Sequence, residues 1–409
     1  MSNETNVTCD YTALSKEQKN FLKEYTWWTE ILGNLSVGVI GLVLNSTAIV
    51  VLSTPSMRNN FFNRLLICLA ICDSLYLSCE IFEVWRHQQY TSIMQQIFVN
   101  VVYPFRSVFM FCSIYLTVAL TLERFQAITS PVQYRIRETA SLSKRLLYYV
   151  VPVLGFSVIY YIPKYFDLYV GQTTKCINGS AITVIRDTAT LNYTMINQEN
   201  CTTGYHLRAT TLRTNHHYVF WYINISNFTM TCLIPLSVLI YLNCRIYSSL
   251  KRFVQRQPST SSNQQGKNNS RQQNRKRDQD VKKTFILFSI VIVFILCHSL
   301  RIILNFDELL NLSRFKRERE KGCHGANYWA RVSLPINSLL IIINASVNFF
   351  VYVFFDRGFQ QVLRNAFMIR RSALLQGSKN SEEETPTPAA VRRRNNTENI
   401  ELTTLNCSN

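Results

Sequence analysis

The chain has 409 residues, is 47% hydrophobic, and carries 43 Lys and Arg against 25 Asp and Glu, a formal charge of +18. A soluble chain of this length divides into two or three domains with interleaved polar surface. Here the apolar residues gather instead into blocks such as "ILGNLSVGVIGLVLNSTAIVVL", "FILFSIVIVFILC" and "LLIIINASVNFFVYVFF", without the polar face that a soluble core helix shows at its period of about 3.6 residues, which argues for a polytopic membrane protein.

From the N-terminus, "MSNETNVTCDY" has no apolar core of a signal peptide, so the first span is expected to act as both signal and anchor. About 20 apolar residues at about 1.5 Å rise cross a hydrocarbon layer of about 30 Å. Spans are expected near 31–53, 62–84, 95–122, 145–165, 218–246, 282–304 and 330–355. The fold class is therefore an all-α membrane protein, a seven-transmembrane helix bundle over 31–355. An extracellular, glycosylated segment over 1–30 precedes it, and a short amphipathic eighth helix (356–370) and a disordered cytoplasmic tail (371–409) come after it.

Cations set the orientation. Lys251, Arg252, Arg256, Lys267, Arg271, Arg275, Lys276, Arg277, Lys282 and Lys283 lie between spans five and six, and Arg357, Arg364, Arg370, Arg371 and Arg392 to Arg394 lie beyond span seven. Those segments are expected in the cytoplasm and the N-terminus outside. The run "RFKREREK" (Arg314 to Lys321) conflicts, since parity puts it outside, and Glu318 and Glu320 only reduce its charge. Asn3, Asn6, Asn178, Asn192, Asn200 and Asn311 begin Asn-X-Ser/Thr triplets in the segments expected outside, where glycosylation is possible. Cys9, Cys176, Cys201 and Cys323 share that oxidising side. Four cysteines allow three connectivities. The favoured one joins Cys176 to Cys201 within the second external loop and Cys9 to Cys323.

The stretch "RQPSTSSNQQGKNNSRQQNRKRDQD" is polar and basic, and the loop over about 255–280 is expected to be disordered, as is the tail, whose Ser and Thr are open to kinases. Beside a membrane, such cations meet anionic lipid at about 1 kcal/mol each, so nucleic acid is not the expected partner. Within the spans, Asn45, Asp73, Ser113, Asn344, Asn348 and Tyr352 are the polar groups that stand out. An amide there commonly makes an interhelical hydrogen bond worth about 0.6 kcal/mol. An ionised Asp73 needs more: a cation, a proton or several donors, and Ser113, Asn344 and Asn348 could complete a small site for a monovalent cation.

Asn45, "LAICD" in span two, "ERF" ending span three, Pro235 in span five and "NFFVY" in span seven succeed one another in an order and spacing that resembles the rhodopsin-like G-protein-coupled receptors. The resemblance covers roughly residues 31–370. It implies a sodium site at Asp73 with Ser113, Asn344 and Asn348, and no other cofactor or metal. It also implies a switch that uses Glu123, Arg124 and Phe125 with Asn348 and Tyr352. The sequence departs from the family where Phe349 replaces the span-seven proline, and where His298 and Leu300 replace the span-six tryptophan and proline. The usual cysteine at the outer end of span three would fall near Val99, where there is none, which leaves the family's disulfide to loop two without its partner. "YYIPKYFDL", "TTLRTNHHYVFWYINIS", "CHSLRIILNFDEL" and "INASVNFFVY" together resemble invertebrate neuropeptide receptors of the FMRFamide-receptor type.

The resemblance further implies that Arg124 pairs with Glu123 and, across the bundle, with Asp280 at the foot of span six, a charge pair whose rupture lets span six move. By the same likeness, Pro131 and Val132 offer an apolar knob to a heterotrimeric G protein, and kinases and arrestin meet the tail. Outside, an RFamide-like peptide brings a guanidinium, for which Glu80, Glu83, Asp307 and Glu308 are candidate carboxylates. Trp85, Tyr103, Phe105, Tyr218 and Trp221 are candidate aromatic walls, Arg301 and Asn305 are further pocket residues, and His298 lies beneath as a relay or as a packed neutral ring. The alternatives are a receptor for another neuropeptide, an orphan or decoy receptor, or a seven-span ligand-gated chemosensory channel, which the outside N-terminus opposes. An enzyme is not expected: His216 and His217 are adjacent and have no carboxylate at ligand spacing.

Overall fold

The computed structural model describes residues 15–86, 91–138, 141–178, 181–186, 201–255, 266–311, 313, 328–366 and 368. Cys9, Cys323, Asn3, Asn6, Asn192, Asn200, the "RFKREREK" run and the tail lie outside the described residues, as do the side chains of Cys176, Asn178, Cys201 and Asp280.

Seven helices are long and apolar enough to cross a membrane: Lys16–Leu52, Phe61–Arg86, Ser92–Thr129, Leu142–Phe166, Tyr218–Ser249, Phe288–Leu310 and Tyr328–Phe355, called spans one to seven below. The chain is a multi-pass membrane protein. Span one begins well before the apolar block. Ser15 and Gln18 form a reciprocal capping box that satisfies the first free N–H groups, so the polar "KEQKNFLKEYT" is already helical before the apolar block begins. Span six likewise belongs to a helix that starts at Gly266, within the loop expected to be disordered. That expectation is corrected at the level of the backbone: a run without proline can extend a helix that its apolar half has already nucleated. With no proline at Leu300, this helix is uninterrupted to Leu310. Spans three and five instead carry π-helical turns, Phe98–Val102 and Thr229–Leu233, directly before Pro104 and Pro235. Residues 357–366 form a separate helix.

Small residues and one amide bring spans one and seven together. Gly41 is buried, and a Cβ there would overlap the Ser346 side chain and come within 3.0 Å of Leu77. The close approach lets Asn45 Nδ2 donate to the Ala345 carbonyl at 2.9 Å and to the Gly41 carbonyl at 3.0 Å. Packing of small residues is the main source of helix association in lipid. Gly41→Ala is therefore expected to cost about 1–3 kcal/mol, read as a lower melting temperature of the detergent-solubilised protein. Span three packs at the centre. Ile114 meets Leu239, Val291 and Phe294, while Val108, Phe111 and Cys112 meet Tyr161.

The segment between spans four and five departs from the all-helical expectation. β1 (Leu168–Asn178), β2 (Ala181–Arg186) and β3 (Cys201–Ala209) form an antiparallel sheet in the order β2-β1-β3. Its register sets Cys176 opposite Cys201. Leu168, Val170 and Leu207 pack on Phe98, Val99 and Val102, so an apolar contact stands at Val99, where related receptors carry their cysteine.

Candidate ligand cavity and cytoplasmic switch

A cavity of about 640 Å³ opens among spans two to seven. Tyr76 and Glu80 come from span two, Arg106 and Met110 from span three, Tyr161 and Lys164 from span four, and Asn227 from span five. Arg301, Asn305, Asp307 and Glu308 come from span six, and Arg331 and Asn337 from span seven. The lining is mixed in charge, and Asn305 Nδ2 and Asn337 Oδ1 are buried there with no hydrogen-bond partner among the described residues. Arg106 pairs with Glu83 and, at 3.5 Å, with Glu80. Arg301 Nη1 rests 3.3 Å from Met110 Sδ. A cavity with both signs of charge and unspent amides suits a ligand rich in donors and acceptors, such as a peptide.

Of the residues expected in the pocket, Glu80, Arg301, Asn305 and Glu308 line this cavity. Five aromatic expectations are corrected. Trp85, Phe105 and Trp221 are exposed on the outside of the bundle, Phe105 stacking on Phe109 with centroids 5.8 Å apart. Tyr103 and Tyr218 serve a carboxylate instead of a ligand. Tyr103 Oη donates to Asp167 Oδ2 at 3.1 Å, and Tyr218 Oη donates to Oδ1 at 2.7 Å. Asp167 is wholly buried, with Arg213 Nη1 at 3.8 Å, and its carbonyl accepts from the Thr210 N–H at 3.0 Å. Lys164 Nζ donates to Tyr103 Oη at 3.1 Å. His298 is 3% exposed, packs on Phe294 with centroids 4.2 Å apart, and does not line the cavity. Asn311, expected to be a glycosylation site, donates its Nδ2 to Asp307 Oδ1 at 2.9 Å.

At mid-membrane, Asp73 is fully buried, accepting from Ser113 Oγ at 2.5 Å and Asn348 Nδ2 at 2.8 Å. Asn344, expected beside it, is half-buried and makes no hydrogen bond to it. Tyr352 is buried one turn further along span seven.

At the far end of span three, Glu123 does not hold its neighbour as expected. Glu123 Oε1 pairs with Arg145 Nη2 of span four at 2.5 Å, and Oε2 accepts from Tyr149 Oη at 3.1 Å. Adjacent helix residues point in different directions, and Glu123 turns toward span four. The Arg124 guanidinium lies over the Phe62 ring of span two, 3.8 Å from its centroid. Burial first, and then the nearby Glu123 carboxylate, push the Tyr134 phenol up to about 12, with Arg124 acting in the opposite sense. Tyr134 belongs to the short helix Pro131–Glu138, on which Val132 is exposed. Asp280 falls outside the described side chains, so its pairing with Arg124 stays an expectation.

A family described as 7 transmembrane receptor (rhodopsin family) matches residues 44–352. The chain belongs to that family. It is similar to the "FMRFamide receptor" of Drosophila melanogaster, with 28% identity over 84% of this chain and 54% of the relative. It is also similar to the "FMRFamide peptide receptor frpr-18" of Caenorhabditis elegans, with 23% identity over 80% of this chain and 67% of the relative. A shorter likeness, 32% identity over 26% of this chain and 36% of the relative, is to the "Mas-related G-protein coupled receptor member A6" of Mus musculus. The chain spans about half the length of the Drosophila relative.

Rhodopsin-family receptors are not enzymes, and in this one the candidate site residues that sequence reading misses are mostly cations. Arg106, Lys164, Arg145 and Arg331 each have a charge inside or beside an apolar span, which by itself marks a functional candidate. What the sequence hides is which residues meet them, as Glu83 meets Arg106, Glu123 meets Arg145 and Tyr103 meets Lys164.

Proposed function

We propose that this receptor binds an amidated, RFamide-like neuropeptide at the plasma membrane and passes the signal to a heterotrimeric G protein. The observation that carries the reading is the cavity among spans two to seven, charged with both signs and holding unspent amides, in a chain similar to two proteins named FMRFamide receptors. Asp307 and Glu308 offer carboxylates to a guanidinium. Tyr76, Met110 and Tyr161 offer a floor for an aromatic ring, and Asn305 and Asn337 complement a terminal carboxamide. The N-terminus faces outward and the tail inward, where kinases and arrestin act. Cys176 and Cys201, set opposite each other in the sheet register, are the natural disulfide. The test is a set of synthetic amidated peptides applied to cells expressing the chain, with calcium and cyclic AMP as readouts. A response to RFamide peptides is expected. Silence toward all of them, together with a response to a small amine, overturns the assignment.

The Asp73 carboxylate and the Ser113 hydroxyl are oxygen donors that fit a sodium ion, with Asn348 fixing the carboxylate through its Nδ2. An ion held there ties spans two, three and seven together and opposes their rearrangement. Replacing sodium by N-methylglucamine is expected to raise agonist affinity by about 5-fold or more, and Asp73→Asn to remove that dependence. Competition binding in the two salts measures both.

A further inference from the structure

A second cavity, of about 330 Å³, lies beside the first between span one and the outer parts of spans two, three and seven. The two cavities share Glu80, Arg106 and Ser338 in their walls, so the Arg106 pair with Glu80 and Glu83 stands at the boundary. That pair is already satisfied. On the span-one side, Trp27, Glu30 and Asn34 line the space, with exposed Lys23 at its rim. Glu30 is half-buried and has no ion pair or hydrogen bond among the described residues. Asn34 is 5% exposed; its Nδ2 reaches Ser338 Oγ at 3.5 Å, while its Oδ1 is buried without a partner. All three sit on the π-helical stretch Trp27–Asn34. Such stretches are rare and recur at functional sites.

The groups left on the span-one side are thus a carboxylate, a carbonyl oxygen and an aromatic ring, while the cations in the same lining are Arg106, held by Glu80 and Glu83, and Lys23, exposed at the rim. A guanidinium or ammonium satisfies all three, through charge-assisted hydrogen bonds and a cation–π contact. We propose that this side cavity is a second ligand subsite, which takes a cationic group, ammonium or guanidinium, of the peptide seated in the central cavity. The inference rests on the peptide-receptor reading above and adds to it the site for a second charge. Arg106 keeps Glu80 and Glu83, and the incoming cation meets Glu30 and Asn34.

The test uses the full-length receptor in membranes and three probes: Phe-Met-Arg-Phe-amide, its N-acetylated form without the ammonium, and its citrulline form without the guanidinium. Glu30→Gln is expected to weaken the unmodified peptide about 10- to 100-fold, the loss of a hydrogen bond to a charged group. One modified peptide binds the wild type that much more weakly and is then indifferent to Glu30→Gln, which identifies the cation. Glu30→Lys, on a half-exposed position that tolerates charge, is expected to weaken the unmodified peptide further. Equal effects of Glu30→Gln on all three peptides, or none on any, overturn the subsite while leaving the peptide-receptor reading in place. No binding of any of the three to the wild type, with other amidated peptides equally inert, overturns both.

Discussion

Asp167→Ala is expected to remove most of the receptor from the cell surface and with it most ligand binding. The carboxylate is fully buried and accepts from two phenols on different spans, Tyr103 and Tyr218, with Arg213 close by. Its loss leaves two half-buried phenols without their acceptor, a cost of about 1–3 kcal/mol for each, against a total stability of only about 5–15 kcal/mol. Asp167 joins spans three, four and five to the start of β1. A graded series checks the account. Tyr103→Phe and Tyr218→Phe each cost about 1 kcal/mol, Asp167→Asn keeps an acceptor and lies between, and Asp167→Ala is worst. Surface labelling with saturation binding separates lost protein from lost affinity. Normal surface density for Asp167→Ala would show that the apolar contact of Val99 with the sheet is a sufficient anchor.

The spans are legible in the sequence because hydrocarbon imposes a length and a composition that neighbours cannot override, and the seven expected blocks lie within or close to the seven observed helices. Helix ends are less so: Ser15 starts span one by a hydrogen-bonded cap that hydrophobicity does not see. The loop-two sheet escapes sequence reading because only strand pairing across many residues, as between Tyr169 and Arg208, turns that polar segment into structure. In the sites, types of residue are readable and partners are not. Glu80 and Glu83 read as carboxylates for a ligand's guanidinium, but Arg106 of span three already supplies one from within the chain. Aromatic residues near the outer face read as ligand walls, yet Tyr103 and Tyr218 are spent on Asp167, 64 and 51 residues away.

The Glu123–Arg145 pair between spans three and four leads to the sharpest expectation. Both groups are nearly buried, with side-chain exposures of 0% and 10%, and breaking such a pair from one side leaves an uncompensated charge worth about 3–5 kcal/mol. Arg145→Leu therefore strands Glu123 next to Arg124, the nearest remaining cation in sequence. The carboxylate turns toward it, takes the guanidinium off the Phe62 ring, and agonist-stimulated signalling falls together with expression. Glu123→Gln strands Arg145 and lowers expression, but leaves Arg124 over Phe62 and basal signalling unchanged, since Glu123 was not restraining it. Glu123→Gln combined with Arg145→Leu removes both charges at once and is expected to recover most of the wild-type expression, because a buried pair replaced as a whole is close to neutral. The coupling in this double-mutant cycle should reach about 1–3 kcal/mol. The cycle needs thermal stability of the purified receptor and nucleotide exchange on a reconstituted G protein. Additive losses, with raised basal exchange in Glu123→Gln, would instead place Glu123 on Arg124 and return the switch to the arrangement expected from sequence.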